Sequence, residues 1–228
     1  MTANRRPAVP LEHRLTQPNA SLEDLSEAIA LVTEHDLATL IVNPWLVKAA
    51  RRELGRSSVQ IGAVIGYPYG GQLLAVKAFE ASKALEQGAT QIEFVLNGGA
   101  LRSGADETVY NDLLAVVDMA HSALALASVV VEPDRLPVEL ISKACRLAER
   151  AGVDCVVTSS GAASAEHAIE LTGLLRDSVG PRVEVKATGR FERADQLEHA
   201  IAAGASRLSS SFSADLLTDA GALQAVGG

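Results

Sequence analysis

Apolar and polar positions alternate along this chain between two periods. Short apolar runs of about four to six residues give way to longer stretches with apolar positions at helical spacing. Leu40-Ile41-Val42, Val59 to Ile65, Gln91 to Leu96, Ser128 to Val131, Val153 to Val157 and Val183 to Lys186 read as strands, with Leu11 to Leu15 before them and Arg207-Leu208 after. Between them, Leu25, Ile29 and Val32 predict a helix that starts at the Ser21/Asp24 signal. Val109, Leu113, Val116, Ala120 and Leu124 predict another, and Ile141, Cys145 and Ala148 a third. Further helices are expected over Trp45 to Leu54 and Leu73 to Gln87. Gln87-Gly88-Ala89, Ala151-Gly152-Val153 and Ala203-Gly204-Ala205 place a glycine where a helix hands over to a strand, a left-handed cap.

Eight strands, most followed by a helix, with strands too apolar to have a wet face, imply a parallel sheet covered outside by helices. Within 228 residues this fits a single domain, a (β/α)8 TIM barrel over 1–228 with residues 1–10 as an irregular arm. The competing architecture is an open doubly wound sheet, but no glycine-rich nucleotide fingerprint follows the first strand.

Composition narrows the partners. A formal charge of −8 speaks against nucleic acid and anionic membrane, while a locally positive site could still take an anionic small molecule. No apolar run is long enough to cross a bilayer and the first residues lack a signal-peptide core, so a cytoplasmic location is expected. Cys145 and Cys155 have no metal-ligand spacing and read as small buried hydrophobes. His13 is isolated and the other histidines fall on helices, so neither a metal site nor a cofactor is expected. No elbow motif supports a serine nucleophile. The sequence leaves a homodimer open.

Candidate chemistry sits at strand ends, because barrels place ligands at the carboxyl ends of their strands. Period two puts Glu93, Val95 and Asn97 on one face of their strand, Glu184, Lys186 and Thr188 on one face of theirs, and Glu12 with Arg14 on the first. Charges inside a barrel are costly unless paired, so Glu93 and Lys186 are expected to meet, as a structural ion pair or an acid/base pair. Asn43 and the loop holding Tyr67 close two other strands. Thr158-Ser159-Ser160-Gly161, Thr188-Gly189 and Ser209-Ser210-Ser211 gather hydroxyls and amides where barrels commonly bind phosphate, although such loops are also ordinary turn chemistry.

Several of these segments resemble the deoxyribose-phosphate aldolase family. Leu11-Glu12-His13-Arg14-Leu15 is similar to its Ile-Asp-His-Thr-Leu, Ile41-Val42-Asn43-Pro44 to its Cys-Val-Asn-Pro, and Val64-Ile65-Gly66-Tyr67-Pro68 to its Val-Ile-Gly-Phe-Pro. Gln91 to Asn97 with Ala100 to Gly104 parallels Glu-Ile-Asp-Met-Val-Ile-Asn with Ala-Leu-Lys-Ser-Gly, and Val185 to Gly189 parallels Val-Lys-Ala-Ser-Gly. Gly152 to Gly161 is similar to Gly-Ala-Asp-Phe-Val-Lys-Thr-Ser-Thr-Gly, the strand with the imine-forming lysine.

The resemblance implies the barrel, and it implies roles. A strand-six lysine forms an imine with the substrate carbonyl, a strand-seven lysine (here Lys186) lowers its pKa, and a strand-end aspartate (here Glu93) handles protons. Departures fall on the same positions. The imine lysine is Val157, the first-strand Asp and Thr are Glu12 and Arg14, the Gly-Gly of the phosphate loop is Gly189-Arg190, and the last loop's Gly-Thr-Ser-Ser is Ser209 to Phe212. Valine has no amine, so the family's imine route is closed at 157.

The reading is therefore a diverged aldolase-like lyase acting on a small carbonyl or sugar-like substrate. Lys186, Glu93 and Glu12 are its catalytic candidates, through acid/base chemistry or an imine on Lys186, whose amine is expected in an apolar-walled pocket near Glu93. The substrate-binding candidates are Asn43, Tyr67, Asn97, Val157, Thr158, Ser159, Thr188, Gly189, Arg190 and Ser211. The alternatives are a non-catalytic relative acting as a binding or interaction protein, and an ordinary aldolase rescued by Lys186.

Overall fold

The computed structural model describes residues 9–132, 136–161 and 163–218. Eight parallel strands close into a barrel in chain order: β1 (Leu11–Leu15), β2 (Thr39–Val42), β3 (Gln60–Ile65), β4 (Gln91–Val95), β5 (Leu126–Val130), β6 (Cys155–Val157), β7 (Glu184–Thr188) and β8 (Arg207–Ser210). Closure is by β1 against β8, with Glu12 opposite Ser209 and His13 opposite Ser210. The arm expected over residues 1–10 lies outside the described residues except for Val9 and Pro10, and the Pro10 carbonyl accepts from the Leu208 amide.

The helices outside the strands are α1 (Leu22–Glu34), α2 (Val47–Leu54), α3 (Leu74–Glu86), α4 (Gly98–Arg102), α5 (Asp106–Ser122), α6 (Val138–Ala151), α7 (Ala165–Ser178), α8 (Ala194–Ala202) and α9 (Ser213–Thr218). No helix among the described residues is long and apolar enough to cross a membrane. The Ser21/Asp24 signal is a reciprocal capping box, each residue satisfying the other's backbone N–H at the start of α1. Gly88, Gly152 and Gly204 all have positive φ, as the shared helix-to-strand chemistry requires.

Two expectations need correction. Leu124, read as part of the α5 stripe, lies beyond the helix with φ 57° and is 96% exposed. The helix ends first and Ala125 makes the turn instead, its amide bonding the Ala120 carbonyl. The last strand runs on to Ser210, so Ser209 and Ser210 belong to the barrel wall and not to a loop.

One glycine fixes the loop that reaches over the barrel mouth from β3. A Cβ built on Gly70 would stand 2.1 Å from the Leu96 carbonyl oxygen, and its φ is 69°. Gly104 has nearly the same φ, 71°, but a Cβ there meets nothing within 4 Å. Both alanine variants carry the left-handed penalty of about 1–2 kcal/mol. Gly70→Ala should lose about 1–3 kcal/mol more, because loop or strand must move. Denaturant titration of the two variants checks this, and equal losses would mean that the loop does not rest on β4.

Candidate functional site

Sequence alternation puts charged side chains on the barrel axis, where they can survive only by pairing. The pairs form a chain across the interior. Arg14 on β1 donates from Nη1 to Glu93 Oε1 on β4 at 2.6 Å, and Glu93 Oε2 accepts from Lys186 Nζ on β7 at 3.1 Å. Lys186 Nζ also lies 2.6 Å from Glu12 Oε2, an ion contact off the hydrogen-bond direction. Glu12 Oε1 in turn accepts from Arg207 Nε at 2.9 Å, and Arg207 Nη1 donates to Glu184 at 3.2 Å. Glu12, Glu93 and Lys186 have no exposed surface.

Pairing sets the charge states. Burial pushes the Lys186 ammonium down, but Glu12 and Glu93 together outweigh it and hold its pKa above the ordinary lysine value. Burial pushes the Glu93 carboxyl up, and Arg14 with Lys186 reverses that, holding it below the usual carboxylate range. The apolar walls expected around the Lys186 Nζ are thus corrected: it lies near Glu93, as expected, but between two carboxylates. Elsewhere burial raises the Cys155 thiol to about 12 and lowers His13 to about 4, with the His13 ring against Ser213 Oγ at 2.6 Å.

Val157 stands in register with Lys186, yet its surroundings are apolar. It packs with Val95, Val130 and Cys155, and Tyr67 closes the cluster from above. The Tyr67 hydroxyl donates to the Ser160 carbonyl, tying the loop after β3 to the loop after β6. Beside this cluster a cleft of about 180 Å³ opens between the ends of β4 and β5, lined by Pro68, Tyr69, Val95, Gly99, Arg102 and Leu136.

Other expected binding residues carry structural duties. Asn43 donates to the Gln17 carbonyl, and Asn97 caps α4 by accepting from the Ala100 amide. Thr158 and Ser159 both donate to the Thr188 carbonyl. Several amides of the expected phosphate loops are engaged within the protein: Gly189 with the Ser209 carbonyl, Arg190 with the Ala163 carbonyl, Gly161 with Ser159 Oγ and Phe212 with Ser210 Oγ. The Arg190 guanidinium lies over the Phe212 ring at 4.8 Å and remains largely exposed. Ser211 is half-buried beside them. Among the described residues no group of three His, Cys, Asp or Glu is placed to hold a metal ion.

Arg14, Arg207 and Glu184 belong to the network but are not among the site residues expected from the sequence. Period two from Glu12, from Ser209 and from Lys186 marks all three as inward, which is the signal available for them.

Comparison with known proteins agrees with this architecture. The chain is 38% identical over 211 residues to deoxyribose-phosphate aldolase of Bacillus cereus strain AH187, spanning 92% of this chain and 94% of that one. Among solved structures it superposes on QR15, an aldolase, with a TM-score of 0.82 and 28% identity over 91% of this chain and 92% of that one. The deoxyribose phosphate aldolase of Aeropyrum pernix, described as tetrameric, gives 0.81 and 25% over 92% and 89%. A family model described as DeoC/LacD family aldolase matches residues 8–206, and the chain belongs to that family.

Proposed function

We propose that this aldolase-family barrel binds a small carbonyl- or carboxylate-bearing molecule and does not cleave deoxyribose phosphate through an imine. The observation that carries this reading is Lys186, fully buried and held as an ammonium by Glu12 at 2.6 Å and Glu93 at 3.1 Å. Imine formation needs a free amine, and Val157 supplies none at the position that the family resemblance assigns to it. Acid/base catalysis works best with a group whose pKa lies near the operating pH. Here Lys186 moves up and Glu93 moves down, both away from neutrality. The partner is then a small molecule, since a charge of −8 suits neither nucleic acid nor an anionic membrane.

The test combines three measurements on the purified chain: deoxyribose 5-phosphate cleavage, borohydride trapping with small aldehydes, and ligand-observed NMR with a panel of short carbonyl compounds and acids. Saturable binding without cleavage or adduct is expected. Turnover at an ordinary enzymatic rate, about 10 per second, would overturn the reading.

A second reading, a lyase of altered mechanism, rests on Glu93 and Lys186 remaining in hydrogen-bond contact on the barrel axis. It requires deuterium uptake next to the carbonyl of a bound compound, abolished by Glu93→Gln. Without such uptake the binding reading stands.

A further inference from the structure

The Arg14 guanidinium has one side committed and one side open. Nη1 donates to Glu93, whereas Nε and Nη2 have no partner among the described residues, although Arg14 is only 1% exposed. Thr188 Oγ1 and Ser209 Oγ are likewise without partners and wholly buried. Each such group carries an uncompensated desolvation penalty, and native interiors keep few of them.

These orphaned groups come from adjoining strands. Ser209 stands opposite Thr188 on one side and opposite Glu12 on the other, and Arg14 follows Glu12 on the same face, nearer the mouth. Gly161 lies directly over them. A Cβ built there would reach 3.5 Å from Arg14 Nε and 4.0 Å from Thr188 Cγ2, so a side chain at 161 would stand across the approach.

We propose that Arg14 Nε and Nη2, with the hydroxyls of Thr188 and Ser209, form a pocket for one carboxylate group, so that the ligand is a short monocarboxylate entering beneath Gly161. This deepens the binding reading above and rests on it.

Charge supports an anion there. In the chain of pairs along the barrel axis the cations Arg14, Lys186 and Arg207 face two carboxylates with no exposed surface, Glu12 and Glu93. Glu184, on Arg207, is 44% exposed and therefore partly screened by water. A monoanion at Arg14 adds less buried charge than a phosphate dianion, and burying unbalanced charge is costly. The amides of Gly161, Gly189, Arg190 and Phe212 already bond within the protein. The Nε/Nη2 edge of a guanidinium matches the two oxygens of a carboxylate in one plane. Tyr67 lies within electrostatic reach of Arg14 and also covers the Val95, Val130 and Val157 cluster, giving the carbon end of the acid an apolar wall.

Calorimetric titration of the full chain with pyruvate, acetate and inorganic phosphate tests this. Saturable binding of pyruvate or acetate, undisturbed by phosphate, is expected. Arg14→Lys keeps the charge but loses the fork and should weaken binding about tenfold or more, the range of a charge-assisted hydrogen bond. Thr188→Val and Ser209→Ala should each weaken it about threefold to tenfold, as lost neutral hydrogen bonds do, without lowering Tm, because they remove orphaned hydroxyls. A purely structural role for those hydroxyls predicts the opposite pair of results. Failure of folded wild-type chain to bind either acid, equal affinity in all three variants, or displacement of the acid by phosphate would each overturn the pocket. An imine adduct or turnover of the bound acid would sink the binding-only reading and leave the pocket standing.

Discussion

Lys186→Met is expected to destabilise the protein by about 3–5 kcal/mol, because it leaves Glu12 and Glu93 buried without the cation between them. For a domain of this size that corresponds to a Tm lower by roughly 10 °C. Methionine nearly fills the lysine volume, so the loss reports charge and not a cavity. A second variant separates the two. Glu12→Gln still offers an oxygen to Arg207, so Lys186→Met with Glu12→Gln should be more stable than Lys186→Met alone. Urea denaturation of the set measures this. A loss below about 1 kcal/mol for the single variant, the range of an exposed ion pair, would show that water reaches the network.

The same network gives stability a pH dependence with two limbs. The Glu93 carboxyl has its folded pKa below its ordinary 4.5, so its contribution is complete above that value and is lost as pH falls through the folded pKa. The Lys186 ammonium has its folded pKa above its ordinary 10.5, so its contribution is complete below that value and is lost as pH rises through the folded pKa. Between these limits the network contributes a plateau. Lys186→Met should remove the alkaline limb.

Much of this arrangement is legible in the chain before any coordinates. Period two identifies Glu93, Lys186 and Thr188 as inward, and the cost of an unpaired interior charge says that the first two must meet. What the pattern does not contain is the partner of each charge once several are available. Glu12 and Arg207 are 195 residues apart and become neighbours only because β8 closes on β1. Lys186 has carboxylates on two strands, which together outweigh its burial; the alternation names only Glu93 as its partner. The serine-rich end of the chain is ambiguous in sequence for another reason. Serine suits loops and short strands alike, and register with Thr188 settles Ser209 as wall. Asn43 and Asn97 stand at strand ends, as ligand-binding residues do, but amides there also cap helices and brace loops, and here they do.

Val157→Lys should give the barrel an amine that forms an imine, the largest change in chemistry a single substitution makes here. The introduced side chain would lie among Val95, Val130, Cys155 and Tyr67 and in register with the Lys186 ammonium. Burial and a neighbouring cation both disfavour a second ammonium, so its pKa falls and free amine is present near neutral pH. Lysine is larger than valine, and overpacking should cost about 1–3 kcal/mol of stability. Borohydride reduction with acetaldehyde, followed by peptide mass spectrometry, should locate an adduct at position 157 in the variant and none at Lys186 in either protein. Deoxyribose 5-phosphate should still be a poor substrate, because the amides of Gly189, Arg190 and Phe212 remain bonded inside the protein and cannot turn to a phosphate without unmaking those contacts. The unphosphorylated sugar should therefore be cleaved no worse than the phosphate. A wild-type adduct at Lys186 would contradict its assignment as an ammonium, and a folded variant without an adduct at 157 would show that aldehydes do not reach the cluster.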